Sequence, residues 1–310
     1  MIRIHRLLIL SLLCLVALGA AEPATKLRLL VIGNSFSGNA LHYFKDIVGA
    51  AGCTAEVKHL MVGGSPLELH WGKAAAALAD PQDVKAKYGE NGRDGSLLEA
   101  FANGSWDEVT IQQYSKIAHD PATYRPFADK LVALIREKAP QARLCIHQTW
   151  AYRVDDPRFG TGPGTDLKDA EEMHRLVRAA YVGVAKELKL DVIPVGDAFH
   201  LVNTDPAWGF KVDPAWNSKA AQSPSLPDQH HSLNVGWSWG KGKDGAEKIA
   251  YDGHHANRNG EYLAGCVWFE TFYHQSVVGN TFHPQEMSAD DATFLQQTAH
   301  RTVVADAAAK

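Results

Sequence analysis

The chain has 310 residues and a formal net charge of −4, a length that suits one large domain or two small ones. The mild acidity argues against a nucleic-acid partner, which needs a basic face. Apart from the N-terminus, no stretch is apolar enough to cross a bilayer.

The opening residues, MIRIHRLLILSLLCLVALGAAEP, read as a secretory signal. Arg3 and Arg6 supply a positive start, residues 7–18 an apolar centre, and Gly19, Ala20 and Ala21 the small residues of a cleavage site. Cys14 follows Leu13, which is too large for a lipoprotein processing site. Loss of residues 1–21 leaves 289 of the 310 residues and, by taking two arginines and no acid, moves the formal charge from −4 to −6. The mature chain, residues 22–310, is expected to be exported to the periplasm or the outside, with no membrane span. It keeps Cys53, Cys145 and Cys266. Three cysteines are no disulfide framework; their apolar surroundings predict buried thiols, with one bridge open to them after export.

Strands and helices then alternate. Residues 26–32 (KLRLLVI) predict a buried strand, and residues 39–51 a helix ending near Gly52. Residues 55–62 predict a second strand and 66–78 a second helix. A short third strand covers 109–112, after Trp106 and Asp107. Helical periodicity over 124–138 stops at Pro140. Residues 143–149 predict a fourth strand, 167–188 a long amphipathic helix, and 192–195 a fifth strand. Residues 257–273 predict a late helix and 288–304 a last one, with Ser288 and Asp291 spaced as a capping box. Strands separated by helices imply a parallel sheet covered on both faces. Residues 204–250 carry Pro, Gly, Asn, His and Trp without a period. A loop of that length in a compact domain is usually functional, so it is expected to be an insertion over the site within one domain.

The first strand runs into Gly33-Asn34-Ser35-Phe36-Ser37-Gly38. Parallel strands end at the ligand-binding edge of their sheet, and a serine there, just before a helix, has its N–H near the positive helix end. Far downstream, Asp252-Gly253-His254-His255 precedes the late helix. A hydroxyl nucleophile needs a base, and the base an orienting acid. Asp and His three residues apart in one loop meet that need if the loop faces the serine.

These pieces, in this order, resemble the SGNH (GDSL-like) hydrolase superfamily. Gly33-Asn34-Ser35 stands for its first block and Asp252 with His255 for its last. The middle blocks supply oxyanion donors. Gly63-Gly64 occupies the second, with Gly64 favoured because it precedes Ser65 and a helix. In place of the third block's G-x-N-D the chain has Trp106-Asp107-Glu108-Val109-Thr110-Ile111-Gln112-Gln113. That departure resembles a branch with I-G-N-S-F-S, G-G-S-x-L-x-x-H-W, W-D-x-V-x-x-Q, Q-x-W-A-Y and D-G-x-H motifs. The corresponding residues here are 32–37, 63–71, 106–112, 148–152 and, with the Y-L-A-A-C helix that follows the last motif in that branch, 252–266. The resemblance implies an α/β fold, three layers α/β/α around a five-stranded parallel sheet in flavodoxin-like order. It implies Ser35 as nucleophile, His255 as base rather than its neighbour His254, and Asp252 as orienting acid. The oxyanion donors would be the N–H groups of Ser35 and Gly64 and the side-chain amide of Gln112 or Gln113, which strand alternation sends to opposite faces. His70, Trp150 and His254 are weaker candidates for substrate contact. The implied activity is a cofactor-free esterase without a metal. Export suggests a small acyl group, acetyl first, on an extracellular polysaccharide.

Three rival features stand in the same sequence. Gly236-Trp237-Ser238-Trp239-Gly240 fits G-x-S-x-G, but that elbow needs a strand before it and a helix after it. Here the turn-forming Lys241-Gly242-Lys243-Asp244-Gly245 follows, so Trp237 and Trp239 are read instead as aromatic faces for a sugar or as ordinary packing. Asp228-Gln229-His230-His231 and Asp252-Gly253-His254-His255 offer a metal-dependent hydrolase as an alternative, without an H-E-x-x-H frame. A non-catalytic glycan-binding protein on the same fold is the third, opposed by the retained Ser, Asp and His.

Overall fold

A computed structural model describes residues 25–160 and 166–308; the expected signal, residues 1–21, lies outside the described residues. The chain begins β1 (Lys26–Gly33), α1 (Ser35–Leu41), α2 (Phe44–Ala50), β2 (Thr54–Met61) and α3 (Leu67–Ala79). It continues α4 (Leu97–Ala102), β3 (Glu108–Ile111), α5 (Phe127–Lys138), β4 (Arg143–His147), α6 (Ala170–Leu188), β5 (Asp191–Ile193) and α7 (Val195–Asn203). A hairpin of β6 (Asn234–Lys241) and β7 (Glu247–Ala256) follows, and then α8 (Arg258–Tyr273) and α9 (Ala289–Ala308).

Five strands form one sheet in the order β2-β1-β3-β4-β5, parallel throughout. The expected three-layer architecture is therefore present. Its physical origin is visible in β1 and β3: residues 29–33 and all of Glu108–Ile111 are buried, as strands covered on both faces must be. One covering layer is built on α8, buried at every position from Tyr262 to Tyr273 and packed against α1, α2, α7 and α9. On the other face α3 packs against α4 and α5. Cys53, Cys145 and Cys266 are all buried.

The structure corrects several boundaries. The helix expected over 39–51 is two: Asn34 caps α1 so that it starts at Ser35, and the chain breaks at Tyr43 before α2. The helix expected from residue 124 starts at Phe127, because Pro126 holds Arg125 in extended backbone. The fifth strand ends at Ile193, and Val195 already belongs to α7. Residues 204–250 are not structureless: they contain β6 and the start of β7, and Asp252 to His255 lie on β7 rather than in a loop. Ser288 caps α9 as expected, accepting the Asp291 N–H at 3.0 Å, but its hydroxyl rather than its N–H reaches the Asp291 carboxylate, at 2.7 Å.

Candidate active site

Every strand of the sheet points its C-terminal end to the same edge, and the residues after β1, β2 and β3 meet there. Asn34 joins them. Its Oδ1 accepts the Phe36 N–H (3.1 Å) and the Gln112 amide (2.6 Å), and its Nδ2 donates to the Ser65 carbonyl (3.0 Å). Gly33 is required before it, because a Cβ there would lie 2.5 Å from Ser37 Oγ. Gly64 is required for its backbone: its φ of +62° is left-handed, a conformation glycine adopts without steric penalty.

Onto this edge β7 brings the downstream motif. Ser35 Oγ lies 2.9 Å from His255 Nε2, and His255 Nδ1 lies 2.7 Å from Asp252 Oδ2. Asp252 Oδ1 accepts the backbone N–H groups of His254 (3.1 Å) and His255 (3.0 Å), and His254 Nδ1 approaches it to 2.8 Å. Burial pushes the Asp252 pKa up, but the hydrogen bonds from His254 and His255 outweigh it and hold the carboxyl well below the usual range. Asp252 is thus an anion that orients two imidazoles. Serine, imidazole and carboxylate in line can generate an alkoxide at neutral pH. The same Asp252, His254 and His255 could also gather around a divalent ion, but with both Nδ1 atoms on the carboxylate and His255 Nε2 on Ser35 the arrangement is that of a proton relay.

The other expected site residues separate into two groups. Ser35 and Gly64 present backbone N–H groups at the edge, and no acceptor among the described residues takes them. Gln112, by contrast, is 1% exposed and committed. Its amide N–H₂ bonds Asn34, and its Oε1 accepts from His147 Nδ1 at 3.2 Å. Gln112 braces Asn34 from beneath rather than facing a ligand. Gln113 does lie on the opposite side, where its Oε1 takes the N–H groups of Leu67 and Tyr114 and its amide reaches Thr123. His70 is fully buried between Ser65 Oγ (2.8 Å) and Tyr88 OH (3.0 Å), so it supports the Gly64-Ser65 turn and does not meet substrate. Trp150 is also fully buried, stacked on Phe199 at 4.4 Å, with its indole N–H on the His254 carbonyl at 2.9 Å. It holds the motif and forms no pocket wall. His254 remains about one-third exposed beside the relay.

In the hairpin, the Trp237 ring packs on Tyr251 at 4.8 Å and the Trp239 indole donates to the Ser225 carbonyl. Ser238 sits in mid-strand opposite Ala250, with no helix after it, so it makes no nucleophile elbow.

The sequence reading missed the groups that hold β7 in place. Arg153, 3% exposed, grips Asp155 with two bonds of 2.6 and 2.7 Å, donates to Gln229, and gives its backbone N–H to the Gly253 carbonyl at 2.8 Å. Tyr251 OH donates to the same Asp155 at 2.6 Å. Gly253 has no space for a Cβ, which would collide with Asp156. The dense Arg153-Val154-Asp155-Asp156-Pro157-Arg158 run after the Q-x-W-A-Y motif was the available signal. A cavity of about 1070 Å³ lies far from this edge, around Arg143 and Asp191 where β4 and β5 begin. Arg143 there is bound to Glu108 and Asp191, and Ser35, Asp252 and His255 do not line the cavity.

The five-stranded parallel sheet and the helices that flank it define a three-layer α/β/α fold. Residues 28–201 match the family described as a domain of unknown function, DUF4886, and the chain belongs to that family. It is similar to a DUF4886 family protein from Bacteroides uniformis, with 23% identity, a TM-score of 0.67, and coverage of 90% of this chain and 95% of that one. A more distant likeness is to a protein from Slackia heliotrinireducens provisionally assigned as an SGNH hydrolase, with 21% identity, a TM-score of 0.44, and coverage of 79% and 98%. Another is to a lipase/acylhydrolase from Enterococcus faecalis, with 17% identity, a TM-score of 0.35, and coverage of 56% and 78%. No curated protein matches the chain.

Proposed function

We propose that this chain is an exported serine ester hydrolase that removes small acyl groups, acetyl first, from a carbohydrate polymer. One observation carries the reading: residues 220 positions apart in sequence put Ser35 Oγ at 2.9 Å from His255 Nε2, with Asp252 behind the imidazole at 2.7 Å. Such a line has little structural use at a sheet's ligand-binding edge, and it is what acyl transfer to serine requires.

In this mechanism His255 Nε2 takes the Ser35 proton as Oγ attacks the ester carbonyl carbon. The carbonyl becomes an oxyanion facing the N–H groups of Ser35 and Gly64. The imidazolium, stabilised by Asp252, returns the proton to the departing alcohol, which leaves an acyl-serine. Water then gives its proton to His255 and attacks the acyl carbon, and the carboxylic acid leaves as Ser35 regains its proton. No metal or cofactor enters. Loss of one oxyanion donor in such sites costs about 10²–10³-fold in rate. Residues 22–310 are read as one hydrolase domain, with residues 204–250 as its insertion and residues 1–21 as the export signal. The acetyl and polymer parts rest on that export expectation.

The test is a panel of nitrophenyl acetate, butyrate and longer esters beside acetylated xylan and pectin. Wild-type protein should turn over acetyl esters best and release acetate from at least one polymer. Preference for long-chain esters would overturn the acetyl assignment, and no hydrolysis of any ester would overturn the enzyme.

A further inference from the structure

A second cluster of ligating side chains lies outside the relay. His230 and His231 precede the hairpin, and both turn their Nε2 atoms toward Asp291 in the first turn of α9. The separations are 3.8 Å from His230 to Asp291 Oδ2 and 4.0 Å from His231 to Oδ1, and one donor atom from each of the three residues lies within 4.8 Å of the others. These gaps are too long for hydrogen bonds. Donor atoms around one zinc ion, bound at about 2.0–2.2 Å in a tetrahedron, are themselves roughly 3.3 Å apart. In the relay, by contrast, the imidazoles close on Asp252 to 2.7 and 2.8 Å and leave no such gap.

The surroundings fix the ligands as outer partners of a metal site do. Asp291 Oδ1 accepts the Trp208 indole N–H at 2.9 Å and Oδ2 the Ser288 hydroxyl at 2.7 Å, so the carboxylate cannot swing to meet the imidazoles. His231 lies flat on Trp208, with centroids 4.4 Å apart and 13° between planes, and Trp208 is backed by Phe294 of α9. His230 is largely exposed, which leaves the cluster open to solvent and a further position open to water.

We infer that His230, His231 and Asp291 bind one divalent ion of the zinc class through two imidazoles and a carboxylate. The ion is structural and stands apart from the hydrolytic relay. Its effect follows from what each ligand is tied to. The His230 and Ser232 carbonyls are held by Asn259 and Asn257 at the start of α8, directly after His255. An ion there clips the insertion to α9 and fixes the segment that leads into β6.

The experiment uses the full chain stripped with EDTA and titrated with zinc chloride, read by calorimetry and by thermal melting. Wild type should take up zinc and melt at a higher temperature with it. His230→Ala and His231→Ala should each weaken that binding by more than the roughly 10–100-fold that an outer-shell change costs, and should lose the zinc-dependent rise in melting temperature. His230 is exposed, so His230→Ala should melt like wild type without zinc. His254→Ala, which disrupts only the relay cluster, should keep both the binding and the rise. The inference is overturned if wild type binds no zinc, if the two variants bind as tightly as wild type, or if only His254→Ala loses the effect.

Discussion

Asp252 serves two imidazoles, and only one of them reaches Ser35. His255 spans Asp252 and Ser35, whereas His254 meets Asp252 and carries the carbonyl that receives the Trp150 indole. His255→Ala removes the proposed base and should lower kcat on nitrophenyl acetate by about 10⁴-fold or more. His254→Ala leaves the base on its carboxylate and should cost only about 10-fold, through looser positioning. The reverse order of effects would make His254 the base. That Ser35, Asp252 and His255 belong together was legible in the sequence because spacing and order mark them, and the structure brings the three into hydrogen-bonding line. The fate of Gln112 was not legible. Its amide is claimed by Asn34 and His147, both distant in sequence, and burial keeps His147 neutral with its pKa pushed down to about 3. Nothing local in the sequence records those partners.

Elements were legible where one force dominates. The apolar run over residues 29–32 in β1 and the strong amphipathic period of α6 gave strand and helix directly. Short pieces were not. α4 has six residues, and its capping box of Ser96 and Glu99 sits in a Gly-rich stretch that reads as loop. α7 begins one residue after β5, so Val192-Ile193-Pro194-Val195 reads as a single strand by its β-branched content. The hairpin escaped because both of its strands are half-buried, without clean alternation, and Gly236 and Gly240 interrupt β6. Its placement depends on Arg153, Asp155 and Tyr251, a contact between segments about 100 residues apart.

The molecule as a whole buries neutral histidines, and that sets its response to acid. His70 and His147 are fully buried, and burial is the main cause that pushes each pKa from 6.5 down to about 3. In the unfolded chain each titrates near 6.5. The unfolded state therefore binds more protons below that pH, and stability, intact above about pH 6.5, declines as pH falls toward 3. By pH 5 the two residues should together cost about 4 kcal/mol relative to pH 7.5. Urea unfolding at the two pH values measures this, and equal stabilities would contradict it.

Covalent labelling tests whether Ser35 is the nucleophile proposed for this site. Wild-type protein treated with a fluorophosphonate probe should carry a single adduct, mapped by peptide mass spectrometry to Ser35. Ser238→Ala should label equally, and Ser35→Ala should not label while keeping the circular dichroism of wild type, since only a hydroxyl is removed. An adduct at any other serine, or undiminished labelling of Ser35→Ala, would show that Ser35 is not the nucleophile.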